Sequence, residues 1–292
     1  MSEPTLDELR QVIVDAFPEL ASSRFTLLTM GWQSLAVDVD DRLIFKFPRD
    51  EEAEKALISE AGVLAVVRPA LTMTVPDLTL HQGTRLFSRH DKLRGEHLLA
   101  PEYERLGERS RQVLAEELAL FYAEMHALPE AALKAAGAGP AEAWMEPDEI
   151  LEKAWPRLPP ALRPYAEQTL AVWRDLPPDP HGTTFGFFDG HGWNMAFDHE
   201  RERLQGIYDF ADAGFGVLHR EFLQSDWIAR DLTARIIPAY ERLTGRAIDR
   251  ARVALMSGVL RLWELADLAA EDTPRIEAAV RIVEVWAASE RA

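Results

Sequence analysis

The stretch Phe185 to Asp198, FGFFDGHGWNMAFD, sets one carboxylate, Asp189, among four phenylalanines and a tryptophan. An ionised group in so apolar a setting is unfavourable without a partner or a metal, so its presence asks for chemistry. Asn194 lies five residues on, and Asp209 follows the charged turn DHERER, Asp198 to Arg203. Met195 to Phe197 and Leu204 to Phe210 read as two short strands joined by that turn. If they pair symmetrically, the midpoint of Asn194 and Asp209, 201.5, falls inside the turn. The two side chains are then nearly opposite, about 5 Å apart at Cβ. Oxygen donors at that separation suit a hard cation such as Mg²⁺, which keeps water and phosphate in its other positions. Asp189, on a glycine-containing loop, would project beside the same ion. Taken singly, each of the three is as readily a loop former or a strand end; their joint spacing favours a site.

A second pair stands far upstream. In Leu43-Ile44-Phe45-Lys46-Phe47 the strand alternation puts Lys46 on the face of Ile44, in the middle of an apolar strand. Glu60 is three residues after Leu57 and four before Leu64, hence on the apolar stripe of the following helix. A lone charge at either position would be strongly unfavourable, so the two most economically pair with each other. The alternative is that Lys46 lies on an edge strand and reaches water with its ammonium.

The elements that must position these residues change character along the chain. Thr5 and Glu8 form a capping box that opens a helix running to about Phe17. Arg24 to Met30, Leu35 to Val39 and Arg42 to Phe47 read as a meander with Asp40-Asp41 as its second turn, and Glu51 to Val67 as a helix with an acidic first turn. Short strands are expected near Leu78 to His81 and Arg85 to Ser88. The polar segment His90 to Gly95 is read as a hinge, dividing residues 1–95 from a mostly helical 96–292. Helices are expected over Arg109 to Leu128 and near 161–174, 222–244, 249–271 and 274–289, interrupted by the hairpin that carries Asn194 and Asp209.

Composition limits the function classes. The chain has 292 residues, 47% of them hydrophobic, enough for two lobes with a buried core. It has no cysteine, which removes disulfides and thiolate metal sites, and no signal or membrane span is read from it, so a soluble, cytoplasmic protein is expected. A formal charge of −17 argues against nucleic acid as a partner and allows a cationic small molecule. The acidity is uneven: residues 96–292 hold 34 Asp and Glu against 21 Lys and Arg.

Together the motifs resemble a kinase, in which a strand lysine paired with a helix glutamate precedes an Asp-x-x-x-x-Asn loop and an Asp-Phe-Gly turn. Here they are Lys46, Glu60, Asp189-Gly-His-Gly-Trp-Asn194 and Asp209-Phe210-Ala211. With GWQS at 31–34, RLIFKFPR at 42–49, EMHALP at 124–129 and IYDFADAGFG, the chain more closely resembles the aminoglycoside phosphotransferase and choline kinase family. That resemblance implies an α+β, two-lobed, protein-kinase-like fold and a small-molecule kinase. It implies that Lys46, oriented by Glu60, holds the phosphates of ATP or GTP, with backbone amides around Gly31 to Ser34 covering them. Asn194 and Asp209 would hold Mg²⁺, and Asp189 would accept the proton of the attacking hydroxyl.

Two departures from the family pattern bear on catalysis. Phe187 and Phe188 replace the family's His-Gly before the aspartate, and Ala211 replaces a glycine. Phe187 is expected to pack where the histidine would, leaving Asp189 in place, whereas a bulky residue at the glycine position could reshape the loop. The alternative function, a catalytically weakened nucleotide-binding protein that acts as a regulator or partner, rests on those two phenylalanines. A protein kinase is disfavoured, because no Ala-Pro-Glu segment follows Asp209. Glu264, Asp267 and Glu271 recur at helical spacing and could cradle a hydroxylated cationic substrate, although in so acidic a chain a solvated face is the better reading. His191 and His199 are read as loop and turn residues rather than zinc ligands, and Trp193 and Trp263 as core or pocket wall.

Overall fold

A computed structural model describes residues 3–28, 34–269 and 274–290. Helix α1, Leu6–Ala16, begins at the Thr5/Glu8 capping box, with the Thr5 amide donating to Glu8 at 2.7 Å. The sheet that follows consists of β1 (Phe25–Leu28), β2 (Ser34–Val39), β3 (Leu43–Pro48), β4 (Thr79–Gln82) and β5 (Leu86–Asp91), antiparallel throughout in the order β1-β2-β3-β5-β4. Asp40 and Asp41, with φ of 59° and 54°, make the tight turn between β2 and β3; two consecutive left-handed residues match the twist of paired strands.

Alternation along the strands gives this sheet two unlike faces. Val37, Phe45, Phe47 and Phe87 are fully buried together with Leu9 and Ile13 of α1. The opposite face brings Lys46 level with Ala36 and Ser88, and Ile44 level with His90. Helix α2, Glu51–Val67, is capped by Asp50 and presents Glu60 to Lys46.

The C-terminal region is helical: α3 (Ala100–Arg105), α4 (Glu108–His126), α5 (Glu130–Ala135), α6 (Pro147–Ala154), α7 (Arg163–Arg174), α8 (Arg230–Thr244), α9 (Arg250–Leu268) and α10 (Pro274–Ser289). A core of Leu118, Phe121, Tyr122, Phe222 and Tyr240 joins α4 to α8, and a second cluster joins α6 and α7 to α9 and α10. Two small antiparallel sheets break the helices, β6 (Thr183–Gly186) with β9 (Gly214–Val217), and β7 (Met195–Asp198) with β8 (Arg203–Ile207).

Two expectations change. The helix read over 222–244 starts only at Arg230, after 3-10 turns at Leu218–Phe222 and Gln224–Trp227. Ser225 bonds the Phe222 carbonyl at 3.1 Å, a local bond that competes with a regular helix; Asp226 is drawn to Ser257 of α9 at 2.6 Å, and Ala229 is extended. The hairpin register also slips by one. Met195 pairs with Ile207, an irregularity follows Ala196, and the Tyr208 amide bonds the Asn194 carbonyl at 3.0 Å, so Tyr208 rather than Asp209 is Asn194's neighbour.

Candidate active site

Four segments remote in sequence meet at one place. The Lys46 ammonium lies 3.1 and 3.3 Å from the two oxygens of Glu60 and 2.9 Å from Asp209 Oδ1. Glu60 Oε1 also accepts the Phe210 amide at 3.1 Å, so one buried carboxylate ties the strand lysine to the turn that carries Asp209. Burial opposes the charge of Lys46, but Glu60 and Asp209 outweigh it and raise the ammonium's pKa. The same ammonium, against burial, holds the Asp209 carboxyl below its ordinary value. Asp209 has φ +67°, a conformation that costs a non-glycine residue about 1 kcal/mol or more and persists where its surroundings fix it.

Asp189 sits in the loop between β6 and β7. Its Oδ2 accepts Asn194 Nδ2 at 2.6 Å, and its Oδ1 lies 3.1 Å from His191 Nε2. Burial opposes protonation of His191, yet the bond to Asp189 raises its pKa. With Nδ2 of Asn194 committed to Asp189, its carbonyl oxygen is the atom left for a cation. Asp209 likewise has Oδ2 beyond the oxygen bound by Lys46, and its side chain is 44% exposed. Oxygen-only donors with accessible atoms fit Mg²⁺ better than a softer ion.

The loop before Asp189 is fastened by a residue that the sequence reading missed. Glu221, fully buried in the 3-10 turn Leu218–Phe222, accepts the amides of Phe187 and Phe188 at 3.0 and 2.9 Å. His126, at the end of α4, donates Nε2–H to the same carboxylate at 2.9 Å, and its Nδ1 lies 2.8 Å from the Tyr240 hydroxyl, which donates to it. The sequence carried no clear signal for it: in LHREFL Glu221 follows a histidine and an arginine, inside a segment read in part as helix.

The two phenylalanines take separate places. Phe187 is fully buried, its ring 4.9 Å from Phe210 and 5.5 Å from Phe121, which links the Asp189 loop to the Asp209 turn. Phe188 has φ +58°, the left-handed conformation that glycine adopts freely. Its ring lies so close over Gly186 and Gly216 that a Cβ at either would sit 2.8 or 2.9 Å from it. The bulky residue therefore leaves the loop in a glycine-like path.

Asp189 helps to line a cavity of about 80 Å³, together with Glu142, Trp144, Asp212, Arg220, Trp263 and Glu264. Of the expected acidic stripe, Glu264 faces this cavity, Asp267 is exposed and Glu271 lies outside the described residues. Gly31 is also outside them, while Ser34 opens β2 opposite Pro48. Burial, then the charges of Asp189 and Asp209, push the Asp212 carboxyl up to about 7. Burial pushes Glu264 up to about 8, with Arg261 and His191 opposing it.

Glu264 makes a pH test. Its folded pKa lies above the ordinary 4.5, so the native state binds the extra proton and this residue removes stability as pH rises from about 4.5 to about 8. Glu264→Gln is expected to raise the melting temperature at pH 8.5 relative to wild type and to change it little at pH 4.5. An unchanged difference between the two pH values would contradict this burial.

The profile of the phosphotransferase enzyme family matches residues 24–256. Among solved structures, the chain is similar to the GDP complex of a point mutant of the aminoglycoside 2'-phosphotransferase of type IIIa, with a TM-score of 0.87 at 18% identity over 99% of both chains. It is similar to the macrolide 2'-phosphotransferase apoenzyme from Brachybacterium faecium, with a TM-score of 0.68 at 18% identity over 92% of this chain and 96% of that one. An ADP-bound aminoglycoside phosphotransferase gives a TM-score of 0.64 at 16% identity, over 95% of this chain and 96% of that one. No curated protein sequence matches the chain. These likenesses establish the α+β, kinase-like architecture: a five-stranded antiparallel N-terminal sheet and a helical C-terminal region with small hairpins.

Proposed function

The chain belongs to the phosphotransferase enzyme family, and from that premise we propose that it moves the γ-phosphoryl group of ATP or GTP to a hydroxyl of a small cationic molecule. The observation that carries this is the convergence of Lys46, Glu60, Asp189, Asn194 and Asp209 on one site from separate parts of the chain. Lys46, steadied by Glu60, holds the nucleotide phosphates, and the backbone amides of the Gly31 to Ser34 segment would cover them. Asn194 and Asp209 would hold Mg²⁺, which neutralises phosphate charge when bound. Asp189 orients the acceptor hydroxyl and takes its proton as that oxygen bonds to Pγ; the bond from Pγ to the bridging oxygen breaks and nucleoside diphosphate leaves. Positioning and charge neutralisation supply most of the rate.

Residues 1–95 are proposed as the nucleotide-binding lobe and 96–292 as the catalytic and substrate-binding lobe. The cytoplasm, where nucleoside triphosphates and Mg²⁺ are available, is the proposed place of action; no helix among the described residues is long and apolar enough to cross a membrane. Support over a nucleotide-binding relative without transferase activity comes from Asp189, which a binding module does not need, and from the glycine-like path of Phe188.

The test is melting temperature with ATP or GTP, each with and without Mg²⁺. The account expects a Mg²⁺-dependent rise, corresponding to about 2.7 kcal/mol at a nucleotide concentration of 100 Kd, that Asp209→Asn removes. Failure of both nucleotides to stabilise the wild type at millimolar concentration would contradict it.

A further inference from the structure

The cavity beside Asp189 is not uniformly acidic. Arg220, in the 3-10 turn that also carries Glu221, places its guanidinium 4.6 Å from the Trp144 ring centroid and 5.8 Å from that of Phe188. Its Nη1 donates to the Glu142 carbonyl at 2.6 Å, and among the described residues no carboxylate comes within ion-pair distance of it. A guanidinium has five N–H donors in a fixed fork that matches a carboxylate. Glu142, Asp212 and Glu221 act on this guanidinium electrostatically without pairing with it directly, so the donors of the fork beyond Nη1 are left to a ligand.

Two more groups that line the cavity point the same way. Trp263 Nε1, a donor, and the Gln224 side-chain oxygen, an acceptor, are buried and have no partner among the described residues. Buried polar atoms left unpaired are uncommon in folded chains, so this donor and this acceptor are available to a bound molecule. The cavity also presents the carboxyl groups of Glu142, Asp212 and Glu264, whose oxygens accept hydrogen bonds although burial favours the protonated form of each. It thus offers donors for an anion and acceptors for an ammonium, with Asp189 between this cavity and the nucleotide side. Lys46, Asn194 and Asp209 do not line it, so an anion at Arg220 belongs to the acceptor rather than to the nucleotide.

We propose that the acceptor is a small hydroxylated zwitterion whose carboxylate is taken by Arg220 and whose ammonium is taken by the carboxyl groups of Glu142, Asp212 and Glu264 that line the same cavity. This rests on the phosphotransferase reading; it keeps the ammonium of the substrate proposed there and adds a carboxylate, so the acceptor is zwitterionic rather than net cationic. Polyamine sugars satisfy only the acidic side and leave the guanidinium unpaired, which costs affinity.

The test is nucleoside diphosphate release with Mg²⁺ and nucleotide across matched acceptors. They are 2-amino-4-hydroxybutanoate and longer hydroxy amino acids, their carboxylate-free amino alcohols, their amine-free hydroxy acids, and kanamycin. The best hydroxy amino acid should exceed its amino alcohol by about tenfold or more in kcat/KM, as a charged hydrogen-bonded contact provides. Arg220→Gln should bring that ratio to about one, and Arg220→Lys should restore part of it. A purely structural Arg220 would lower both members together and leave the ratio intact. Phosphorylation only of compounds without a carboxylate, or a ratio that survives Arg220→Gln, overturns the proposal while leaving the phosphotransferase reading standing. If no compound is phosphorylated and Mg²⁺ with nucleotide does not raise the melting temperature, that reading fails and this proposal fails with it.

Discussion

Asp189→Asn is expected to lower phosphoryl transfer by about 10²- to 10⁴-fold, the range that a positioned general base supplies. The substitution keeps the size of the side chain and an oxygen for Asn194 Nδ2, which Asp189 now accepts at 2.6 Å, so the loop should keep its path. It removes the charge that takes the acceptor's proton and balances His191. Nucleotide affinity and its Mg²⁺ dependence should stay close to wild type, because Lys46, Glu60 and Asp209 are untouched. Initial rates paired with nucleotide titration check both halves. A variant that retains transfer within a few fold would remove Asp189 from the chemistry, and one that loses nucleotide binding would make it a structural residue.

Glu221→Ala carries the largest expected stability effect. One carboxylate accepts two backbone amides and the His126 N–H, all buried, so its removal strands three donors at once. Breaking a buried charged cluster by deleting one partner costs about 3–5 kcal/mol. For a chain of this size that corresponds to a fall in melting temperature on the order of 10 °C. Glu221→Gln keeps one accepting oxygen but turns an NH₂ group towards donors, so it should lie between wild type and alanine. Thermal melts of the three proteins decide it; an alanine variant within about 1 kcal/mol of wild type would show that the amides find other acceptors.

How much of this was legible in the sequence depended on whether a residue broke a local pattern. Lys46 and Glu60 each put a charge on the apolar face of a regular element, and period 2 and period 3.6 make such violations visible before any contact is known. Asp189, Asn194 and Asp209 could be read because they cluster within a loop and a hairpin. The register between the last two could not, since Asp198 pairs with Arg203 and so centres the turn one residue earlier than expected, and an irregularity after Ala196 recovers only part of that offset; nothing in MAFDHERERL announces either.

Glu221 and Arg220 were hidden for a different reason. They lie in 3-10 turns, which lack a repeating apolar stripe, and their partners are 33 to 95 residues away for Glu221 and 78 for Arg220. Long-range pairing of single residues leaves no periodic trace. Phe188 was read as a possible threat to the loop, and what neutralises it is equally remote: Gly216, across the β6–β9 pair, together with Gly186, gives its ring a seat. The acidic stripe illustrates the converse. Of its members only Glu264 and Asp267 lie in α9, and spacing alone could not distinguish Glu264, which faces the cavity, from Asp267, which faces water.

The central claim is transfer of phosphate to a small-molecule hydroxyl, and ³¹P NMR of the protein with Mg²⁺, nucleotide and the acceptor panel tests it directly. The account predicts that the γ resonance of the triphosphate declines as a phosphomonoester resonance grows, in wild type and not in Asp189→Asn. A γ resonance that persists, or one lost only to inorganic phosphate with no phosphomonoester formed, would contradict it.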